Sequence, residues 1–401
     1  MQKGNLIILV ICQLISTTGS VVVVTLGGII GASLSSNQAF STLPVSMMVV
    51  AVAATTIPAA MLMRKIGRSR GFALASLSAV LGVLLAVVAL YRSSFELFIV
   101  AAMLFGINMA FTQQYRYAAA ESVPAKFVPR AISFVLLGSI GGAMLGPELV
   151  TRGASWVASV PYAGVMYTLA AMFSVQALLF LRLHGAREST APERAATSRA
   201  LGSIVRQPVF LVAVLGGTTG YGLMTLLMTA TPLSMHINDG FTLGETASVI
   251  RMHVLGMYLP SLVSGFLIER FGVVPMMVTG ALLFLLTSAT ALQGHEFMHY
   301  GWALIALGVG WNFLYVGGTT MLTYTYSINE RFRAQAVNEF MVFGSSALAS
   351  LAAGAVMFYF GWQRLLWVPL PLIGLILCAL VYVRRDPLLQ RAAINEKAAA
   401  A

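Results

Sequence analysis

The chain has 401 residues, of which 58% are hydrophobic and only 9% are charged, and its formal net charge is +11. Soluble domains carry about 25% charged residues, so this composition excludes an ordinary soluble domain and predicts a membrane protein. The positive charge does not indicate a nucleic-acid partner, because the basic residues lie in short segments between apolar runs, as is typical of membrane topology.

Apolar runs long enough to cross a hydrocarbon core of about 30 Å recur along the whole chain. The first run is too long for a cleaved signal peptide and lacks a small-residue cleavage site, so we read it as a span. The pattern predicts an all-α membrane protein with twelve transmembrane helices. We place these spans at 5–32, 39–63, 71–91, 96–120, 130–150, 160–182, 208–232, 246–268, 273–291, 299–322, 335–359 and 364–384.

A polar segment rich in Arg, Ser, Ala and Pro separates spans six and seven, as expected of a linker. We therefore expect an N-terminal six-helix half (1–183), a cytoplasmic linker (184–207) and a C-terminal six-helix half with a basic tail (208–401). AMLMRKIGR at 60–68 and GFLIERFGV at 265–273 place a basic residue and a glycine in the same register. Two related halves predict a secondary transporter with its site at the midplane.

The distribution of Lys and Arg predicts the topology. Most basic residues fall on the side that holds both termini, whereas the other side has only Arg92, Arg152 and Arg364. By the positive-inside rule, both termini are expected in the cytoplasm.

Ionisable residues within spans are costly and usually face a cavity or a partner. Arg116, in span four, is therefore a candidate for binding an anionic substrate or for pairing with Glu148 of span five. Glu148 and Glu339 are the carboxylates that are candidates for proton coupling, with a purely structural role as the alternative.

Spans seven and eight each place two soft metal ligands one helical turn apart. Met224 and Met228 lie on the first of these spans, and His253 and Met257 on the second. Positions i and i+4 share a helix face, and thioether and imidazole ligands without carboxylates favour Cu(I) over Mg²⁺ or Ca²⁺. Two alternatives remain open: packing methionines with a hydrogen-bonded histidine, or a pocket for an organic solute.

At the outer end of span seven, Met235 and His236 follow the Met224 and Met228 pair. They are candidates for capturing a metal ion from outside and passing it inward. Ordinary loop residues are the alternative.

The loop after span two resembles the G-x-x-x-D-R-x-G-R signature of the major facilitator superfamily, with Ala60 at the first glycine and Arg64 at the aspartate. GGAMLGPE at 141–148 resembles the superfamily's glycine-proline motif of helix five. MTATPLSMH at 228–236, VIRMHVLGMYLPS at 249–261 and QQYRYAAAES at 113–122 resemble its CcoA-like branch, which includes bacterial copper importers and riboflavin transporters.

This resemblance implies a transporter of the bacterial inner membrane that works by alternating access. It gives Met224, Met228, His253 and Met257 as the copper-binding set, with copper as transported substrate and no permanently bound cofactor. We therefore expect import of Cu(I) by a protein that is a monomer in membrane lipid and has no nucleic-acid partner. An enzyme is not expected, because the chain has no nucleotide loop, HExxH or nucleophile motif.

The alternative is an organic-solute transporter of riboflavin type. Its flat ring would stack on aromatic side chains and hydrogen-bond to amides at the midplane. Spans four and ten supply such residues: Asn108, Gln113, Gln114, Tyr115, Trp311, Asn312 and Tyr315.

Overall fold

The computed structural model describes residues 3–122, 128–183, 199–327 and 330–390. Over these ranges the chain forms α-helices joined by short turns, without a β-strand. The helices are α1 Lys3–Leu34, α2 Leu43–Ile66, α3 Arg68–Tyr91, α4 Phe95–Thr112, α5 Tyr115–Glu121, α6 Val128–Gly153, α7 Ala163–Leu181, α8 Leu201–Val205, α9 Pro208–Pro232, α10 Leu243–Tyr258, α11 Ser261–Phe271, α12 Val273–Ala291, α13 Phe297–Thr323, α14 Arg331–Leu365 and α15 Pro369–Val383.

Within the described ranges, ten helices are long and apolar enough to cross a membrane. The consecutive helices α10 and α11 pass the same test together as a span bent by 41°, and α15 is a shorter apolar helix. These segments account for the twelve predicted helices. The prediction of an all-α, multi-pass membrane protein is therefore confirmed.

Two predicted spans are broken. Span four consists of α4 and α5, which are separated at Gln113 and Gln114, and span eight consists of α10 and α11. The second break falls at Leu259 and Pro260, where the proline has no N–H to continue the helical hydrogen bonds.

The repeated glycines of the two halves have the same backbone conformation. Gly67, between α2 and α3, has φ 84° and ψ 157°, and Gly272, between α11 and α12, has φ 89° and ψ 161°. Only glycine adopts this region without strain. Each N–H donates to the carbonyl four residues earlier, on Met63 and Ile268 respectively, so the sequence repeat encodes one type of helix-ending turn.

The chain divides into two compact units. The first contains residues 1–189, 228–255 and 350–362, and the second contains 190–227, 256–349 and 363–401. This division passes through α9, α10 and α14, so the predicted division at 183 and 208 stays a prediction. Of the predicted linker, 184–198 lies outside the described residues, and the remainder includes α8.

Within the first unit, small residues bring α6 against α1. A Cβ atom at Gly138 would collide with the carbonyl oxygen of Val10, and one at Gly142 with Leu14 and Thr17. The small-residue spacing in the sequence therefore corresponds to a close helix contact. Glu148 lies further along α6, in the last two turns before the helix ends at Gly153.

Within the second unit, hydroxyl groups join α9 to α14. Thr225 and Ser346 share a hydrogen bond of 2.5 Å between their side-chain oxygens. A helix pair held in this way needs no charged side chain in the apolar interior. Tyr221 lies one turn before Thr225 on α9.

Candidate functional site

The four side chains predicted to bind copper are all buried. Met224 and Met228 lie on α9 with 8% exposure each, His253 on α10 is fully buried, and Met257 is 9% exposed. None of them faces lipid. Met228 and His253 belong to the first unit, and Met224 and Met257 to the second. The copper set remains a prediction.

Clusters of carboxylate, thiolate and imidazole side chains do not support a metal site in the described part of the chain. Across the described ranges, no group of three or more His, Cys, Asp and Glu side chains is arranged to hold a metal ion. This absence concerns carboxylate, thiolate and imidazole ligands, and it does not concern methionine thioethers.

Aromatic side chains of the second unit form a cluster that we call the aromatic cluster: Tyr221, Tyr258, Trp311, Tyr315 and Phe343. The rings of Trp311 and Tyr315 are stacked, with centroids 5.2 Å apart and an angle of 13° between planes. Tyr221 meets both rings edge-on, with centroids 5.1 Å and 5.0 Å away. Two more rings complete the cluster. The Phe343 centroid lies 5.5 Å from that of Tyr221, and the Tyr258 centroid lies 6.2 Å from that of Trp311.

The sequence indicated only part of this cluster. Trp311 and Tyr315 were predicted for the organic-solute site, and their i, i+4 spacing places them on one face of α13. Tyr221, Tyr258 and Phe343 were missed because they lie on three different helices, α9, α10 and α14, and the sequence does not show that these helices meet. The sequence feature that could have indicated them is an aromatic residue whose two neighbours in the chain are small or apolar.

Three residues predicted for the organic-solute site, Asn108, Trp311 and Asn312, have buried polar atoms without a hydrogen-bond partner in the described part of the chain. In the second unit these atoms are the indole Nε1 of Trp311 and the Oδ1 of Asn312. In the first unit both amide atoms of Asn108 are in this state, and the residue is fully buried on α4. Buried polar groups are normally hydrogen-bonded, so such atoms mark a candidate ligand contact.

Asn312 has a different role. Its Nδ2 atom donates to the carbonyl of Met257 at 2.8 Å and to the hydroxyl of Ser261 at 2.5 Å. It therefore ties α13 to the break between α10 and α11, where helix carbonyls lose their partners. Its Oδ1 atom is buried and, over the described ranges, has no hydrogen-bond partner.

Tyr115 lies in the core of the first unit. Its ring packs edge-on against Phe72 with centroids 4.9 Å apart, and its hydroxyl accepts a hydrogen bond from Gln176 at 3.2 Å. Gln176 also donates to Ser76 and accepts from Ser16. This buried network joins α1, α3, α5 and α7, so the contacts of Tyr115 are structural.

Gln114 lies at the break before α5 and is half-buried. Its carbonyl accepts from the Arg68 guanidinium at 3.5 Å, which is a backbone contact. The side chain of Arg64, at the position of the signature aspartate, lies outside the described residues.

Glu148 has two basic partners. Its carboxylate lies 3.0 Å from Arg152 on the next turn of α6 and 3.6 Å from Arg251 on α10. Glu148 thus pairs with these residues instead of Arg116. Arg251 also donates a hydrogen bond to the hydroxyl of Ser248, and its positive charge is matched by the Glu148 carboxylate. Arg116 and Glu339 are both partly buried, on α5 and α14.

The residues predicted to capture a metal ion lie in a π-helical turn, Leu233–Asn238, that ends α9. Met235 is fully buried. The Nδ1 atom of His236 lies 2.7 Å from the carbonyl oxygen of Phe241, in hydrogen-bond contact. This contact closes the loop before α10, and the capture role stays a prediction.

The helices define a multi-pass membrane protein whose interior contains aromatic and polar side chains. A family model described as Major Facilitator Superfamily matches residues 9–260 and 238–400. The chain belongs to the major facilitator superfamily. It is a secondary transporter and not an enzyme, as the sequence predicted.

Curated relatives cover most of the chain. It is 35% identical over 381 residues to "Riboflavin transporter RfnT" of Brucella anthropi, covering 94% of this chain and 95% of the relative. It is 28% identical over 382 residues to "Uncharacterized MFS-type transporter YdeG" of Bacillus subtilis, covering 89% and 85%. The prediction of copper as cargo has no support among these relatives.

Solved structures share the fold at low sequence identity. A mutant form of the nucleoside transporter NupG matches with a TM-score of 0.72 and 14% identity, covering 95% of this chain and 100% of that one. A bacterial homolog of the human lysosomal transporter Spinster matches with a TM-score of 0.71 and 14% identity, covering 96% and 97%. These similarities concern the fold alone.

Proposed function

We propose that this protein transports riboflavin, or a solute with the same tricyclic ring, across the membrane. The observation that carries the proposal is the 35% identity, over 94% of this chain, to a protein described as a riboflavin transporter. The aromatic cluster and the buried polar atoms are the features of this chain that support it.

The aromatic cluster supports the proposal because it offers flat surfaces. The isoalloxazine ring of riboflavin is planar and apolar on both faces, and aromatic rings favour offset stacking or edge-to-face contacts with such a ring. The rings of Trp311 and Tyr315 lie nearly parallel, with centroids 5.2 Å apart. A third flat ring could therefore stack on this pair in the same orientation. Tyr221 packs edge-on against both rings, and Phe343 packs behind Tyr221.

The buried polar atoms support the choice of a ring with polar edges. The pyrimidine edge of isoalloxazine presents carbonyl oxygens and an N–H group. The indole N–H of Trp311 is a donor that suits such a carbonyl, and the Asn108 amide can both donate and accept. We infer that each residue hydrogen-bonds the solute at some stage of the transport cycle.

We infer that transport follows alternating access and brings the solute into a bacterial cell. The excess of Lys and Arg on the side of both termini supports cytoplasmic termini in the inner membrane. Riboflavin carries no net charge, so its movement needs no buried counter-charge.

Purified protein reconstituted into liposomes tests this proposal. Liposomes loaded with unlabelled riboflavin should accumulate external radiolabelled riboflavin by exchange, and protein-free liposomes should not. Excess external riboflavin should compete, whereas excess ribitol, which has the side chain without the ring, should not. Accumulation equal to that of protein-free liposomes, with folded protein in the bilayer, would overturn the proposal.

A further inference from the structure

A groove of about 590 Å³ runs between α3 and α7 on the surface of the first unit. Its floor is formed by small buried residues, Ala73 and Ala177. Its walls are formed by leucines with about half or more of their surface exposed: Leu74, Leu77, Leu178 and Leu181. Pockets for small ligands have volumes of about 300–1,000 Å³, so the groove is large enough to hold part of a lipid chain.

One end of the groove is basic. Arg70 lines it, Lys65 lies next to the lining residue Ile66, and Arg182 follows the lining residue Leu181. The hydroxyl of Ser69 donates to the carbonyl of Phe180 at 2.7 Å, so the start of α3 lies beside the end of α7. The basic residues therefore gather where both helices reach the edge of their apolar segments.

These basic side chains have no acidic partner among the described residues. Arg70, Lys65 and Arg182 are exposed, and none has a side-chain hydrogen bond or ion pair within the described part of the chain. Basic clusters where helices reach the membrane surface bind anionic headgroups, and each Lys or Arg contributes to the attraction. An apolar groove that ends at exposed basic side chains matches a molecule with a hydrocarbon chain and a negative head.

We propose that the α3–α7 groove binds a glycerophospholipid with an anionic headgroup. One acyl chain lies along Leu74, Leu77 and Leu178 over the alanine floor, and the phosphate lies against Arg70. A second copy of this chain fits less well, because a two-fold contact would place the same basic end of each copy against the other. The proposal is independent of the cargo.

The experiment measures thermal unfolding of the purified full chain in detergent during lipid titration. Phosphatidylglycerol is compared with phosphatidylcholine of identical acyl chains, and soluble glycerol phosphate is a third arm that separates a lipid site from a phosphate site. We expect phosphatidylglycerol to raise the midpoint temperature well above the effect of phosphatidylcholine. Glycerol phosphate alone should have no effect.

Two variants locate the binding. Arg70→Gln should weaken the apparent affinity for phosphatidylglycerol about five-fold, the contribution of one basic residue. Its control is Arg92→Gln, at the other end of α3, which should retain wild-type affinity. Ser174→Phe fills the groove from an exposed position and should remove the preference for phosphatidylglycerol, whereas Val175→Phe, on the same helix outside the groove, should not.

Three outcomes would overturn the proposal. The first is an equal response to both lipids, and the second is an equal loss in Arg70→Gln and Arg92→Gln. The third is a dimer in detergent that Ser174→Phe converts to monomer, which would assign the groove to a second copy. Because Arg70→Gln is a surface change, it keeps the test decisive even if Ser174→Phe does not fold.

Discussion

Trp311 and Tyr315 lie one turn apart on α13 with their rings stacked, and Tyr221 on α9 packs edge-on against both. The side chain of Trp311 is almost entirely buried, yet its indole N–H lacks a partner within the described residues. A stacked pair that keeps a hydrogen-bond donor available can recognise a solute that is flat and has polar edges. This relationship leads to the first prediction.

Substituting Trp311 with Leu should weaken riboflavin transport. Loss of stacking with a heterocyclic base costs about 1–3 kcal/mol in aromatic binding sites, so we expect the KM for riboflavin to rise roughly 5- to 150-fold. Tyr315→Phe keeps the ring and should behave like the wild type. Trp302→Leu is the matched control, since Trp302 lies on the same helix but is 59% exposed. An unchanged KM in Trp311→Leu would remove the aromatic cluster from the transport site.

Asn108 and Asn312 should respond in opposite ways to substitution by Leu. Asn312 makes two hydrogen bonds across α10, α11 and α13, so its loss should destabilise the protein by about 1–3 kcal/mol. Asn108 has no side-chain partner over the described ranges, so Asn108→Leu should leave the unfolding temperature unchanged or raise it. Uptake should nevertheless fall in Asn108→Leu. A clear drop in its unfolding temperature would indicate a structural role instead.

The ion pair between Glu148 and Arg251 should contribute little to stability. Both side chains are partly exposed, at 44% and 27%, and solvent-screened pairs of this kind contribute about 0.2–1 kcal/mol. A double-mutant cycle with Glu148→Gln and Arg251→Gln measures the coupling free energy directly. Arg152→Gln serves as the control, because it leaves the α6–α10 contact intact. A coupling well above 1 kcal/mol would contradict this view of the pair.

Glu330 should make stability depend on acid pH. Hydrogen bonds from Arg199 lower the pKa of Glu330, in the loop between α13 and α14, and the Ser327 N–H adds to the effect. Because the folded pKa is below the unfolded value of about 4.3, the stabilisation is complete above that value and is lost as pH falls below it.

The unfolding temperature between pH 7 and pH 3 checks this expectation. The wild type should lose more stability below about pH 4.3 than Glu330→Gln does. Arg199→Gln should lower the unfolding temperature at pH 7, whereas the exposed control Glu269→Gln should not. Parallel curves for the wild type and Glu330→Gln would show that the Arg199 contact does not stabilise the fold.

The helices could be predicted well from the sequence because a helix that crosses the membrane needs about 20 consecutive apolar residues and pairs its own backbone groups. Span nine was predicted at 273–291 and is observed at Val273–Ala291. The repeated glycines at Gly67 and Gly272 also predicted one turn in both halves. The breaks at Gln113 and Pro260 were not predicted, because polar residues and prolines also occur inside unbroken transmembrane helices.

The candidate site was less predictable for a physical reason. In a membrane protein, residues that face lipid and residues in the core are equally apolar, so hydropathy does not separate them. Tyr115 was therefore assigned to a substrate site, although its contacts with Phe72 and Gln176 are those of the core. Likewise, methionine and histidine spacing on α9 and α10 suits a metal, but it equally suits buried packing.

Uptake of radiolabelled riboflavin and radiolabelled copper, measured side by side in bacterial cells that lack their own importers, tests the central claim most directly. We predict riboflavin accumulation that Trp311→Leu reduces and Met257→Leu leaves intact, with copper at the level of cells without the transporter. Copper accumulation that Met257→Leu or His253→Ala abolishes, with no riboflavin uptake, would contradict the account.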